Sequence, residues 1–311
     1  MRFDANRALD YARRISFPRK VGTEGESEAA AAITDWFTGM GYEVERQPFR
    51  FSYALERLIK LEIFLGQALI LAGLAVRWRF PELEIVLAGL VLLLLAFAPF
   101  SQRAIINGSL ADRGSGPGSW RSRAAELLGS HHEAANIIAS RTPHRQEGLR
   151  PHLVLMAHYD SKSQTIPLPA RMFFFVMLVV GAAGYSLFVF SSQVIPAARE
   201  VSLLAAVLAL LSGIPLLLLG TGNKSNGSLD NAAGVGLLVH LAEVLASRED
   251  VRSGLKVTFV ATGAEEYALM GARAFLQSRS SDFADERRMA GVYLLNFDGT
   301  GGEGKLNISG R

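Results

Sequence analysis

The sequence predicts an α/β protein with a largely parallel mixed sheet flanked by helices, interrupted by two inserted apolar helical hairpins. Three observations lead there. Short apolar runs of strand length alternate with amphipathic stretches of helical length, the pattern of a helix-covered parallel sheet. A histidine and several acids recur where those strand runs end. Half of the 311 residues are hydrophobic, and the apolar excess is gathered into two paired blocks.

Taken in order, "SEAAAAITDWFTGMG" has helical spacing, with Ala29, Ile33, Trp36 and Phe37 on one face and Gly41 at its end. "YEVERQPFRF" alternates like a strand, and "AANIIASRT" and "HLVLMAHYD" are short apolar strands. "NAAGVGLLVHLAEVLASRED" is a helix whose apolar face holds Val235, Leu238, Val239, Ala242 and Leu245. "LKVTFVAT" is a strand, "YALMGARAFLQSRS" a helix and "AGVYLLNFD" a final strand. "RQEGLR" and "GSGPGSW" are expected to be exposed loops.

The second apolar block is uncharged from Met172 to Ala198 and again from Val201 to Asn223. Each run exceeds the roughly 20 residues that cross a bilayer core. The first block is shorter, Ile63–Val76 and Ile85–Phe100, with Glu62 and Glu84 at its edges and Trp78 and Tyr53 suited to the interface. The expected division is a discontinuous domain of residues 1–56, 101–171 and 223–311, with hairpins at 57–100 and 172–222. These make four spans of an integral membrane protein with the lipid bilayer as a partner. The N-terminus is charged and lacks the apolar core of a cleavable signal peptide.

Net charge is +3 and no basic cluster alternates with aromatics, so nucleic acid is not an expected partner. With no cysteine, thiolate metal sites and disulfides are excluded. In open α/β sheets ligands bind beyond the carboxyl ends of the strands. His158 and Asp160 follow one strand run, Glu265 and Glu266 another and Asp298 a third, while Asp230 opens a helix. Singly these read as a core histidine, a turn acid, a helix cap and a first-turn dipole pair. Together, one imidazole and several carboxylates suit zinc or another borderline divalent ion. More acids than one ion needs points to two ions with a bridging carboxylate, and a general base beside them. "GTGNKSNGS" fails as a phosphate loop because Asn223 replaces the required glycine. "HHEAANIIASRTPH" lacks the second histidine of a zinc helix.

The chain resembles the M28 metallopeptidases, the co-catalytic zinc aminopeptidases and their relatives. The resemblance rests on "FPRKVGTEGESEAAAAITDWFTGMGYEVERQPF", "ANIIA", "MAHYDS", "GSLDNAAGVGLLVHLAEVLA", "FVATGAEEYALMGARAF" and "LLNFDGTG", in family order. It implies a zinc exopeptidase-like fold, two zinc ions and a peptide or small amide substrate. It implies that His158 and Asp298 bind one metal, that Asp230 bridges, and that Glu266 binds the second metal. Glu265 would be the general base, and Asp160 would accept a hydrogen bond from His158 and fix its tautomer.

One departure stands out. The family uses a second histidine ligand downstream of the last acid, yet all six histidines here precede Asp298, so a C-terminally incomplete sequence is expected. Aminopeptidase action is the leading expectation. Carboxypeptidase or glutaminyl-cyclase chemistry on the same scaffold and a non-catalytic membrane receptor are the alternatives. A transporter is disfavoured because the spans carry no internal charge. Arg46, Arg50, Arg57, Arg103, Arg171 and Lys224 outnumber Arg77, Arg79 and Arg199 of the turns, which leans toward a cytoplasmic domain. Membrane relatives in eukaryotes face the lumen, where the triplets at Asn107, Asn223, Asn226 and Asn307 would be glycosylation sites.

Overall fold

A computed structural model describes residues 2–110, 120–141, 150–248 and 254–299. Most of "RQEGLR" and "GSGPGSW", together with His144 and Asn307, lie outside the described residues. The chain begins with α1 (Ala5–Arg14), α2 (Glu24–Gly39) and β1 (Glu43–Tyr53), followed by α3 (Leu55–Val76), α4 (Pro81–Gly108) and α5 (Trp120–Leu128). Next come β2 (Ser130–Ser140), β3 (His152–His158), β4 (Ser163–Gln164), α6 (Leu168–Ser191), α7 (Ala198–Leu217) and β5 (Thr221–Gly222). A π-turn at Ser228–Ala232 leads into α8 (Ala233–Ala246) and β6 (Lys256–Thr262). The last described elements are α9 (Met270–Ser278), α10 (Ser280–Met289) and β7 (Val292–Asn296). Two compact units result: Met1–Phe51, His132–Ser163 and Gly222–Arg311 form the first, Ser52–His131 and Gln164–Thr221 the second.

The first unit is built on a five-stranded sheet of order β1-β2-β6-β3-β7. β3 runs parallel to both β6 and β7, with His158 opposite Thr262 and Met156 opposite Asn296. β2 runs antiparallel to β6, so the sheet is mixed, with its parallel strands together on one side. Side chains alternate across it. Leu155, Phe259 and Ala261 enter one core with Val235, Leu238, Val239 and Ala242 of α8. Val154, Met156 and Val260 enter another with Phe275 of α9, against which Phe283 of α10 packs. Burial on both faces explains why these strands read as continuous apolar runs.

Two helices of the first unit escape the periodicity analysis, as does α5 in the second. α1 carries Arg7, Asp10, Arg13 and Arg14, and only Tyr11 and Ala12 within it are buried. It docks on α8 at Gly236, where a Cβ would come within 2.3 Å of the Ala8 carbonyl. Asp4 N–H donates to His240 Nε2 at 2.8 Å, and Arg7 pairs with Glu243 at 2.9 Å. α10 is short and acidic-basic in composition, and its tie to the sheet is His152, whose Nδ1 lies 2.6 Å from Glu286 and whose Nε2 lies 2.9 Å from Thr258 Oγ1.

The second unit packs α3, α4, α6 and α7 around Ile70, Ala88, Val91, Ala182, Tyr185 and Ala209. Gly181 lets α6 approach α7 closely, since a Cβ there would lie 2.6 Å from Ala209 N. Polar groups face inward. Gln67 donates to the Leu210 carbonyl at 3.0 Å, and Ser186 and Ser202 are fully buried. Arg77 lies 3.6 Å from Glu84 and donates to the Arg199 carbonyl at 2.7 Å, while Arg199 donates back to the Arg77 carbonyl. Large apolar side chains face outward, Phe64, Leu93, Phe97 and Leu204 being 58%, 65%, 64% and 73% exposed. At the foot of the α6–α7 pair, β4 and β5 form a two-stranded sheet.

By length and composition, five described helical segments can cross a membrane: α3, α4, α6, α7 and Ser228–Ala246. The fifth contains α8, whose Val235, Leu238, Val239 and Ala242 are fully buried in the first unit's core.

Arg19, fully buried, links the chain after α1 to two loops of the first unit. Its Nε donates to the Tyr159 carbonyl at 2.7 Å, and its Nη atoms donate to the carbonyls of Ile15, Phe17, Asn226 and Gly227. Removing it leaves several buried acceptors without a donor, a cost of about 1–3 kcal/mol each. Arg19→Ala is therefore expected to destabilise the protein by at least ~3 kcal/mol, seen as a large fall in Tm of the purified full chain. Arg19→Lys should not restore the loss, because an ammonium offers its donors from a single point. An unchanged Tm in the alanine variant would remove Arg19 from this role.

Candidate metal centre

Because β3, β6 and β7 are parallel and in register, their carboxyl ends coincide. His158 is the last residue of β3; Glu265 and Glu266 follow β6; Asp298 follows β7. Asp230 arrives from the π-turn before α8. His158 Nε2 lies 3.0 Å from Asp230 Oδ1, 3.5 Å from Asp298 Oδ1 and 3.8 Å from Glu265 Oε2. Ligand atoms of His158, Asp230 and Asp298 lie within 4.8 Å of one another, a group that could hold a metal ion.

The histidine is oriented for that purpose. His158 is 1% exposed, and its Nδ1 faces the Asp160 main-chain carbonyl at 3.2 Å. A carbonyl only accepts, so Nδ1 carries a proton and Nε2 is the nitrogen that faces the acids. Among the described residues no well-directed hydrogen bond satisfies that buried Nε2, although Asp230 Oδ1 is 3.0 Å away. Burial pushes the imidazole pKa down, but Asp160, Asp230 and Asp298 outweigh it and raise it to about 12. A site that holds a proton so strongly is one of high negative potential. A buried nitrogen with no well-directed hydrogen bond, oxygen donors and no thiolate fit zinc or a similar ion.

Asp160 meets the imidazole and a second group. Its main-chain carbonyl is 3.2 Å and its carboxylate 3.5 Å from His158 Nδ1. The carboxylate accepts from the N–H groups of Glu265 at 3.0 Å and Glu266 at 3.3 Å. The turn that presents those N–H groups passes through Ala264, which is in the left-handed region at φ 54°. Asp160 thus positions the acid pair.

The pair diverges. Glu265 faces His158, whereas Glu266 Oε2 lies 3.5 Å from Lys162 Nζ. Lys162 also donates to the Glu266 carbonyl at 2.5 Å and sits 5.3 Å from the Tyr267 ring centre. Burial raises the Glu265 pKa to about 7, with His158 opposing the rise and the neighbouring acids adding to it. Burial also raises Glu266, against the pull of Lys162. The Asp298 carboxyl is lowered by its contact with His158.

Asp230 is not a helix cap. The capping oxygen is Asn231 Oδ1, which accepts from Gly234 N–H at 3.1 Å. The Asn231 amide also donates to the Phe297 carbonyl at 2.7 Å, tying the π-turn to the residue before Asp298. Sequence reasoning missed Arg19, Lys162 and Asn231. A cation directly after "HYDS" and an amide directly after Asp230 were the available signals. Of the other histidines, His152 and His240 are held by Glu286 and Glu243, and His132 stacks on Phe51 with ring centres 5.3 Å apart.

Comparison with curated proteins finds no match. Among solved structures, the glutaminyl cyclase of Fimbriiglobus ruber is 16% identical with a TM-score of 0.44, over 96% of this chain and 62% of that one. An aminopeptidase from Aneurinibacillus sp. strain AM-1 is 15% identical with a TM-score of 0.49, over 96% of this chain and 71% of that one. A Zn-dependent exopeptidase from Parabacteroides distasonis is 14% identical with a TM-score of 0.38, over 86% of this chain and 49% of that one. The chain thus spans less than two thirds of the length of the first and third of these proteins. The model of peptidase family M28 matches residues 136–310, a stretch that holds His158, Asp160, Asp230, Glu265, Glu266 and Asp298, and the chain belongs to that family.

Proposed function

We propose that this protein is a membrane-anchored zinc exopeptidase, an aminopeptidase that hydrolyses N-terminal peptide bonds. The observation that carries the reading is the buried Nε2 of His158 facing Asp230, Asp298 and Glu265. His158 and Asp298 would hold one zinc, Asp230 would bridge to a second, and Glu266 would serve the second. Bound zinc supplies a polarised substrate carbonyl and an acidified water. Glu265 Oε2, 3.8 Å from His158 Nε2, takes the proton of the attacking water and delivers it to the departing amine. Asp160 holds that carboxylate in place through the Glu265 N–H. A second reading, a scaffold without catalysis, is favoured by the Lys162–Glu266 pair, which engages a proposed ligand.

Anchoring is read from the outward apolar and inward polar side chains of α3, α4, α6 and α7. These form the proposed hairpins within 57–100 and 172–222, with residues 1–56, 101–171 and 223–311 as the peptidase domain.

Three outcomes are expected. Purified full-length protein should bind two equivalents of zinc, and Asp230→Asn should lower occupancy at both sites. Elemental analysis that finds no zinc, manganese or cobalt after reconstitution would end the metallopeptidase reading. Carbonate washing should leave the protein in membranes; recovery of the intact chain in the supernatant would contradict the spans. Glu265→Gln should retain zinc and lose kcat by about 10²–10⁴-fold, whereas Glu266→Gln should lose zinc first. Equal zinc loss in the two variants would show that the pair is misassigned.

A further inference from the structure

The second unit contains a cavity that peptide hydrolysis does not use. It has a volume of about 360 Å³ and lies among α3, α4 and α6. Its walls differ along their length. Ile70, Val91 and Ala182 close one end, inside the bundle core. At the other end stand Glu62, from the start of α3, and Gln102, from the end of α4.

This end is rich in acceptors and carries a lone negative charge. Glu62 accepts from Ser101 Oγ at 2.5 Å and from Gln102 Nε2 at 2.8 Å, both neutral donors. Lys60, the nearest cation in sequence, pairs with Glu56 at 3.0 Å and donates to the Leu219 carbonyl. Pro99 and Leu95 also line the cavity. A proline has no N–H, so the Leu95 carbonyl loses its helical donor and remains an acceptor.

We propose that this cavity binds a single-chain membrane amphiphile with a primary amine head. The chain lies among α3, α4 and α6, and the ammonium meets Glu62. The proposal rests on reading the bundle as membrane-embedded. The volume falls within the roughly 300–1,000 Å³ of small-molecule sites, which are apolar with a few placed polar groups. A carboxylate at the edge of a bilayer core is costly without a counter-charge, and among the described residues Glu62 makes no ion pair, its partners being Ser101 and Gln102. An ammonium supplies both the charge and the donors, with charge-assisted hydrogen bonds to the carboxylate. A carboxylate or phosphate head would add a second negative charge at the same point.

The test uses the full chain in nanodiscs and a long-chain alkylamine bearing a terminal diazirine. The alcohol and the carboxylic acid of the same chain serve as matched probes. The amine should crosslink to peptides of α3, α4 or α6 and be displaced by unlabelled amine. Glu62→Gln, which keeps the side chain's shape, should weaken amine labelling about tenfold or more and leave alcohol labelling unchanged. Gly66→Phe projects into the cavity from α3 and should abolish labelling by amine and alcohol alike. If that variant misfolds, the Glu62→Gln comparison decides alone. Equal labelling by the acid, labelling outside these helices, or amine labelling unchanged in Glu62→Gln would overturn the proposal. Carbonate washing of the same membranes separates the two readings. Release of the protein overturns both, whereas retention without amine-selective labelling overturns the cavity proposal alone.

Discussion

The candidate site depends on one buried guanidinium. Metal-binding geometry demands that side chains from separate loops be placed to fractions of an ångström, and loops left alone do not provide that. Arg19 draws the strand end at Tyr159 and the loop at Asn226 and Gly227 onto the chain after α1. These are the neighbours of His158 on one side and Asp230 on the other. Burial lowers the Arg19 pKa to about 10, and the charges of Asp160 and Asp230 oppose that fall. The guanidinium therefore stays charged at neutral pH. A hydrophobic residue of equal volume could pack there but could not hold five carbonyls in one place.

A second layer sets the acids themselves. Two adjacent carboxylates normally point apart and repel, and their backbone must be turned sharply to serve one site. Asp160 receives the N–H groups of both glutamates, an anion cradled much as at a helix N-terminus. With the backbone so held, Glu265 faces His158 and Glu266 faces Lys162. One carboxylate beside an imidazole and one beside an ammonium emerge from the same dipeptide. The divergence comes from what surrounds each side chain, since the two residues are chemically identical.

What was legible in the sequence follows from range. The order of strands and helices was readable because burial on both sheet faces leaves unbroken apolar runs such as "LVLMA" and "VTFVA". That His158, Glu265 and Asp298 stand together was readable because parallel strands share a carboxyl edge. α1 was not, because its stability lies in docking on α8 through Gly236, Tyr11 and Ala12, and its own composition is charged. The roles of Arg19 and Lys162 were hidden for a similar reason. A lone cation in a loop reads as solvent-exposed, and only the folded chain shows carbonyls and a carboxylate gathered around it. The contact of the Asp160 carboxylate with the Glu265 and Glu266 amides was hidden too, because those amides lie about a hundred residues away.

In the bundle, Gln67, Arg77, Glu84, Ser186 and Ser202 are buried among apolar helices. Small residues carry the helix contacts there, as Gly181 does against Ala209, an arrangement typical where lipid removes the hydrophobic drive between helices. Each proposed hairpin consists of two helices, α3–α4 and α6–α7, so under the membrane reading the chain returns to the side it left. The first insertion falls between β1 and β2, and the second falls in the crossover from β3 to its parallel partner β6. Closing such a loop costs entropy that grows only with the logarithm of its length, and the β4–β5 ribbon fixes the ends of the second. The fold can therefore carry the hairpins without altering the strand register on which the three ends at His158, Glu265 and Asp298 depend.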